Sequence, residues 1–403
     1  MKKIYYGKAV YDYKEIKAVT KVLKEQPLQL IDGKNVKKLE KKICKLFGKK
    51  YGLMVNSGSS ANLLAISSLN LKNGSEIITP NLTFSTTVAP IFQLGLVPHF
   101  FGVEKNKFVA DVNQIEKCIN SKTKAIMIPN LLGNIADWKK ISLIAKKYKL
   151  YVIEDSADTI GYTINSKNTG NFSDIVTNSF YASHIINGAG TGGMVCFNNY
   201  KFYQKAKLLR GWGRSSATFD ESENIKKRFS IKISGIDYDA KYIFSDAGYN
   251  FLPSEISAAF ALEQLKKLKK NLKKRNVNFE LLKNFFSKLS KYFKLPEQYK
   301  GVKTAWLAFP LVIKKNSKFS RKDLQIYLEK NNIQTRTIFT GNILKQPIVK
   351  NRKYKKLKNS EKNSNDVMEN GILIGCHQGM RIEEINYIFK TFNKFLNKLV
   401  IPL

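Results

Sequence analysis

A chain of 403 residues with 43% hydrophobic and 12% aromatic side chains has enough apolar material for a large core, which excludes intrinsic disorder and favours one large domain with a smaller one beside it. No apolar run reaches the roughly 20 residues of a membrane span. The basic start MKKIYYGKAVYDYKE has no apolar segment behind it, so a cytoplasmic protein with neither signal nor anchor is expected. The formal charge of +38 suits nucleic acid or a small anionic substrate, but the lysines are spread along the chain, and nucleic-acid binding is not the expected function.

In chain order, Val36, Leu39, Ile43, Leu46 and Phe47 share one helical face and predict a helix over 35–47, stopped by Gly48. Short apolar runs then alternate with helical stretches: GLMVNS before ANLLAISSLN, EIITP before STTVAPIFQLG, VPHFFGV, AIMIPNL before WKKISLIAKKYK, then LYVIEDSA, IVTNSFY and GMVCFNN. That alternation predicts an α/β domain over about residues 50–250, a mostly parallel sheet flanked by helices. The run KKLKKNLKKR, Lys266 to Arg275, carries Leu268 and Leu272 in helical register with Leu265 and reads as a helix with a solvated basic face. TAWLAFPLVI and further helices predict a smaller C-terminal α+β domain. The division is placed at 1–255 and 256–403, with the N-terminal segment packing on the small domain. Cys44, Cys118, Cys196 and Cys376 form no CxxC pair and read as reduced, buried side chains, with no metal site expected.

In parallel sheets ligands sit at the carboxyl ends of the strands, and here NSGSS, TPNLTFS, EDSAD and SFYASH stand at those ends. The turn Asn56–Asn62 would aim backbone N–H groups at an anion such as phosphate, although the same residues also make an ordinary helix cap. Glu154, Asp155 and Asp158 place carboxylates just past LYVI, where burial calls for a cation; a helix N-cap is the alternative. Phe84 offers an aromatic face to a planar ring, or is simply core. Ser179 is placed to touch phosphate and His184 to act as a base. Of the three histidines, His99 within a strand reads as structural, whereas His184 and His377, beside glycine-rich turns, are the candidates for proton transfer.

Taken together and in this order, the four motifs resemble those of the sugar-nucleotide aminotransferase family (DegT/DnrJ/EryC1/StrS) of fold-type I pyridoxal phosphate enzymes, over about residues 30–400. The resemblance implies that Gly58, Ser59 and Ser60 cradle the cofactor phosphate, that Phe84 stacks on the pyridine ring, and that Asp155 pairs with the ring nitrogen with Asp158 near the ring hydroxyl. It further implies that Ser179 touches the phosphate and that Asn250 of GYNFLPSE reaches the phosphate of a neighbouring subunit, so that a homodimer shares its active sites.

The family's lysine is expected five residues after Ser179, where this chain has His184; no lysine occurs from 168 to 200. Imidazole has no primary amine, so the cofactor would be held non-covalently, as pyridoxamine phosphate. The exchange resembles the subgroup of sugar 3-dehydratases typified by GDP-4-keto-6-deoxymannose 3-dehydratase, as do LLRGWGRS (208–215), TGNILKQP (340–347) and NSNDVMENGILIGCHQG (363–379). These enzymes remove the C3 hydroxyl of a nucleotide-linked 4-keto-6-deoxy sugar. One branch carries an iron–sulfur cluster on cysteines just after WGR. Here GWGRSSATFDESENIKKRF has none, so the resemblance implies the cluster-free branch, with glutamate as amino donor. An aminotransferase using a lysine from elsewhere and a non-catalytic binding protein are the alternatives. The loop from His184 to Gly193 reads as one residue longer than the family's spacing, and 215–240 as an insertion.

Overall fold

The computed structural model describes residues 2–25, 29–219 and 224–398. Two helices come first, α1 (Tyr13–Glu25) and α2 (Lys34–Leu46). Val36, Leu39 and Ile43 form the buried stripe of α2, as their spacing predicts. Its first turn has no side-chain cap of its own; instead the buried carboxylate of Glu255 accepts from the backbone N–H of Asn35 at 3.0 Å and of Val36 at 2.8 Å.

Strands and helices then alternate: β1 (Tyr51–Val55), α3 (Gly58–Ser68), β2 (Glu76–Pro80), α4 (Ser85–Gln93), β3 (Val97–Phe101), β4 (Thr123–Pro129), α5 (Trp138–Tyr148), β5 (Tyr151–Asp155), the short hairpin β6 (Thr163–Ile164) and β7 (Lys167–Asn168), β8 (Ile175–Ser179), β9 (Gly193–Phe197) and α6 (Tyr200–Arg210). The central sheet has the order β1-β9-β8-β5-β4-β2-β3, and only β9 runs against its neighbours. Every position of β2, β8 and β9 is buried, because helices cover both faces; that is why these strands read as continuous apolar runs.

A short helix α7 (Ile225–Arg228) and the exposed hairpin β10 (Ile231–Ile233) and β11 (Ile236–Tyr238) occupy the expected insertion, of which residues 220–223 lie outside the described residues. The chain continues through α8 (Glu255–Lys266), α9 (Leu268–Ser287), β12 (Phe293–Lys294), β13 (Val302–Lys303), β14 (Phe309–Ile313), α10 (Arg321–Lys330), β15 (Lys355–Lys356), α11 (Lys362–Asn370), β16 (Gly371–Ile374) and α12 (Ile382–Lys398). A three-stranded sheet of order β12-β14-β16, with antiparallel pairs throughout, packs on α9 and α12 around Phe279, Phe286, Phe309 and Phe392. Ile4 bridges Ile333 and joins this core, while β15 extends the large sheet in parallel beside β3. Among the described residues no helix is long and apolar enough to cross a membrane.

The lysine-rich run corrects one expectation. The helix breaks at Lys267, between α8 and α9, and Arg275 is not on a solvated face: it is wholly buried. Arg275 follows Leu268 by seven positions and Leu272 by three, so helical geometry carries it inward on the leucine stripe.

Candidate active site

A cavity of about 400 Å³ opens where β4, β5 and β8 end, facing the N-terminus of α3. This is the crevice that a parallel sheet offers to ligands. Gly58, Ser59, Phe84, Asp155, Asp158, Ser179 and His184 all line it, so the structure brings together most of the residues singled out from sequence. A larger groove of about 580 Å³ between α1, α2 and α8 is walled by surface lysines such as Lys17, Lys38 and Lys42 and gathers none of these groups.

Asp155, the last residue of β5, is buried, and each donor to its side chain is neutral: Asn62 Nδ2 at 2.9 Å, Thr87 Oγ1 at 2.8 Å and the N–H of Ala157 at 3.2 Å. Burial pushes its pKa up, and those hydrogen bonds offset only part of the effect. Asn62 is itself held, accepting from Thr177 Oγ1 at 2.6 Å. Asp158 is buried too. Its Oδ2 accepts from the N–H of Leu132 at 2.9 Å, and desolvation pushes its pKa up to about 7.

One end of the cavity is built by the start of α3. Ser57 caps that helix, its hydroxyl accepting from the N–H of Ser60. Gly58 faces Ser179 so closely that a Cβ there would stand 2.6 Å from the Ser179 Cβ and 2.8 Å from its Oγ. The bare backbone and the two hydroxyls of Ser59 and Ser179 therefore form a concavity at a helix N-terminus, where anions are favoured. Across the cavity Phe84, 49% exposed, presents its ring edge-on to Phe339 at 5.8 Å.

His184 sits in the turn after β8. Its Nδ1 lies 3.3 Å from the carbonyl of Ser179, which only accepts, so this contact places the proton on Nδ1. Nε2 keeps its lone pair and points toward Asp158 Oδ1 at 3.7 Å. Desolvation drives the imidazole pKa down to about 4, with Arg275 adding to the fall and the Ser179 contact opposing it. Burial thus favours the neutral form of both partners, and the contact is not an ion pair at rest. The loop that follows turns back through Ala189, Gly190 and Gly192, all at positive φ, and the N–H of Gly192 bonds the carbonyl of Asn56 at 2.8 Å. This loop leaves His184 on the cavity wall.

Two expectations change, those for Ser60 and His377. Ser60 is buried but does not line the cavity: its hydroxyl donates to Asn56 Oδ1 at 2.6 Å and meets Ser57 Oγ at 2.9 Å, so it serves the helix cap. His377 is not a proton-transfer group. Its Nε2 meets the carbonyl of Tyr5 at 3.1 Å and its Nδ1 accepts from the N–H of Gly379 at 3.2 Å, pinning the N-terminal segment with both nitrogens in use. Asn250 is exposed and stands outside the cavity of its own chain. Sequence reasoning missed Asn62, Thr87, Tyr6 and Phe339. The first two lie inside the motifs already quoted, whereas Tyr6 and Phe339 arrive from distant segments that carry no local signal.

The donor set fits pyridoxal or pyridoxamine phosphate. A buried carboxylate with only neutral partners is costly, and a protonated pyridine nitrogen would supply the missing cation at Asp155. The bare Gly58 cradle would take the phosphate, and the open face of Phe84 would take the ring. Among the described residues, no lysine lines the cavity.

Comparison with known proteins agrees with this geometry. Residues 10–393 match the model of the DegT/DnrJ/EryC1/StrS aminotransferase family. The chain is 34% identical to the lipopolysaccharide biosynthesis protein RfbH of Salmonella typhimurium, over 88% of this chain and 84% of that protein. It is 33% identical to the GDP-4-keto-6-deoxy-D-mannose 3-dehydratase of Escherichia coli O55:H7, over 94% and 97%. A solved E. coli enzyme of that name with bound hydrated PLP has a TM-score of 0.85 at 32% identity, covering 97% of this chain and 99% of that one. Another GDP-4-keto-6-deoxymannose 3-dehydratase, with a trapped PLP-glutamate geminal diamine, has a TM-score of 0.84 at 30% identity, covering 96% and 99%. The eight-stranded, mostly parallel sheet with its small antiparallel partner is the fold-type I arrangement. With a fold, a cofactor cradle and a motif order that agree along most of its length, the chain belongs to the pyridoxal phosphate-dependent DegT/DnrJ/EryC1/StrS aminotransferase family.

Proposed function

We propose that this chain is a 3-dehydratase that removes the C3 hydroxyl of a nucleotide-linked 4-keto-6-deoxy sugar in deoxysugar biosynthesis, with His184 as its base. The observation that carries the reading is the cavity wall: a complete cofactor cradle that has an imidazole and, among the described residues, no lysine. An aminotransferase needs a protein amine in that position.

When bound, pyridoxamine phosphate supplies a primary amine for the C4 ketone and a ring that withdraws electrons. The protein's part is positional. Asp155 keeps the ring nitrogen protonated, since a buried carboxylate favours a cation beside it. Ser59, Ser179 and the first turn of α3 would hold the phosphate, and Phe84 would lie against the ring. Nε2 of His184 accepts a proton because Nδ1 is committed to the Ser179 carbonyl, and the same nitrogen returns a proton to the departing hydroxyl.

Glutamate is the proposed amino donor, supported by the relative trapped with a PLP-glutamate adduct. The four cysteines are buried in three separate core clusters, which supports chemistry without an iron–sulfur centre. Asn250, exposed beyond its own cavity, supports a homodimer in which each chain completes its partner's site. This reading places the protein in the cytoplasm, with a soluble substrate and neither membrane nor nucleic acid as partner.

Replacing His184 with Asn tests the base. The variant is expected to bind pyridoxamine phosphate with little change and to lose dehydration by at least 100-fold, the low end of what a general base contributes. Dehydration retained at the wild-type rate would sink the assignment.

A further inference from the structure

Arg275 has no exposed surface, and Nη1 is its one engaged nitrogen, donating to the carbonyls of Trp306 at 3.2 Å and Leu307 at 3.0 Å. Nε and Nη2 have no hydrogen-bond partner, and among the described residues no carboxylate pairs with the guanidinium. A buried cation on these terms is destabilising and calls for an explanation beyond packing.

A hydrogen-bonded chain leads from this group to the base. Arg275 donates to the Leu307 carbonyl at 3.0 Å; the N–H of Leu307 donates to the Leu132 carbonyl at 2.8 Å; the N–H of Leu132 donates to Asp158 Oδ2 at 2.9 Å. Asp158 Oδ1 then faces His184 Nε2 at 3.7 Å. The chain is rigid. Leu132 is held at φ 59°, and Gly133 presses so tightly on the Ala305–Leu307 segment that a Cβ there would meet the Ala305 carbonyl oxygen at 2.8 Å.

We propose that Arg275 is a positioning residue for the histidine base: it acts from the core through Leu307 and Leu132 to hold Asp158 against His184. The groups facing that ring are Asp158 at 3.7 Å, the Tyr181 ring edge-on at 5.9 Å and Asp155 on the same cavity wall, while Arg275 of α9 acts on it by its charge. Arg275 lowers the pKa of His184 and of His377 alike, whereas Glu76 and Lys355 are the charges on His99. A base that resists holding its proton passes it on, which suits an elimination in which the same group must next protonate a leaving hydroxyl.

The inference rests on His184 being the base, but its test needs no turnover. With only three histidines in the chain, the titration of each ring can be followed by NMR in histidine-labelled protein with pyridoxamine phosphate bound, peaks being assigned from single histidine variants. In Arg275→Met the His184 and His377 midpoints are expected to move up by about one pH unit, a tenfold change in protonation, with His99 unmoved. Arg275→Lys, which keeps the charge, should leave both low. An unmoved His184 in Arg275→Met would overturn the proposal. Should that variant not fold, Arg275→Gln decides, since it removes the charge and keeps a donor for the Leu307 carbonyl, and a His184 midpoint left at its wild-type position there contradicts the proposal. Failure of the base reading itself shows separately, as dehydration that survives His184→Asn.

Discussion

Asp155 and His184 have opposite relations to the protein around them. On the proposed function Asp155 is a charge buried for a ligand, so removing that charge should harm binding more than folding. Asp155→Asn is expected to weaken pyridoxamine phosphate by roughly 10- to 100-fold, the worth of about 1.5–3 kcal/mol for a hydrogen bond to a charged group. The melting temperature of the cofactor-free protein should stay level or rise, because a costly buried carboxylate is gone. A cofactor titration beside a thermal melt checks both. His184 is kept neutral by burial, so the acidic limb of kcat/KM should lie near pH 4 rather than 6.5, the base working until its folded pKa is reached. The position of His184 and the partners of Asp155 were legible in unequal measure. The histidine could be placed from Ser179 by counting. That Asn62 and Thr87 hold Asp155 could not be counted, because it depends on helices α3 and α4 reaching β5 across 93 and 68 residues.

At the scale of elements, the strand ends and the helix start explain why the cofactor cradle was readable: both are local, and each motif marks one junction of strand and helix. Ser60 serves the helix cap that stands beside phosphate binding as a reading of this turn. Ser57 and Ser60 stand three apart at a helix start, the spacing at which a cap and the third residue meet. Arg275 also carried its signal, three residues past Leu272 on the leucine stripe, but eight of the ten positions from Lys266 to Arg275 are basic or polar, and a charge in such a run reads as solvated. The tightness of the α3 junction gives a sharp expectation. Gly58→Ala puts a methyl group 2.6 Å from the Ser179 Cβ, and overpacking of this kind costs about 1–3 kcal/mol. The variant should melt lower and hold phosphate poorly, measured as the affinity for pyridoxamine phosphate compared with that for pyridoxamine. A loss equal for both ligands would show that the cradle is not at α3.

For the whole molecule, charge dominates. A net charge of +38 repels itself, and near-physiological salt shortens the reach of that repulsion to about 8 Å. The melting temperature should therefore rise as salt is added from low millimolar levels. Acid should act in the other direction. His184 and His377 have folded pKa values lowered to about 4 and about 3, so below 6.5 the unfolded chain takes up protons that the folded chain refuses. Their contribution to stability is present above 6.5 and is lost as the pH falls, through about 4 for His184 and about 3 for His377. Replacing His377 with Gln should flatten that acid loss in a pH series of melts. The fold class was legible at this scale because doubly covered strands read as apolar runs. The edge strand β15 was not, since two exposed lysines give no strand pattern.

The central claim is that a histidine in a complete cofactor site changes the reaction from amine transfer to loss of a hydroxyl. The most direct measurement supplies the protein with pyridoxal phosphate, glutamate and GDP-, CDP-, UDP- or dTDP-linked 4-keto-6-deoxy sugars, and reads the sugar product by mass spectrometry. The account predicts, with at least one of these substrates, a product that has lost the C3 oxygen and gained no nitrogen, and no such product from His184→Asn. A product that keeps its C3 oxygen and carries a new amine at C4 would contradict it.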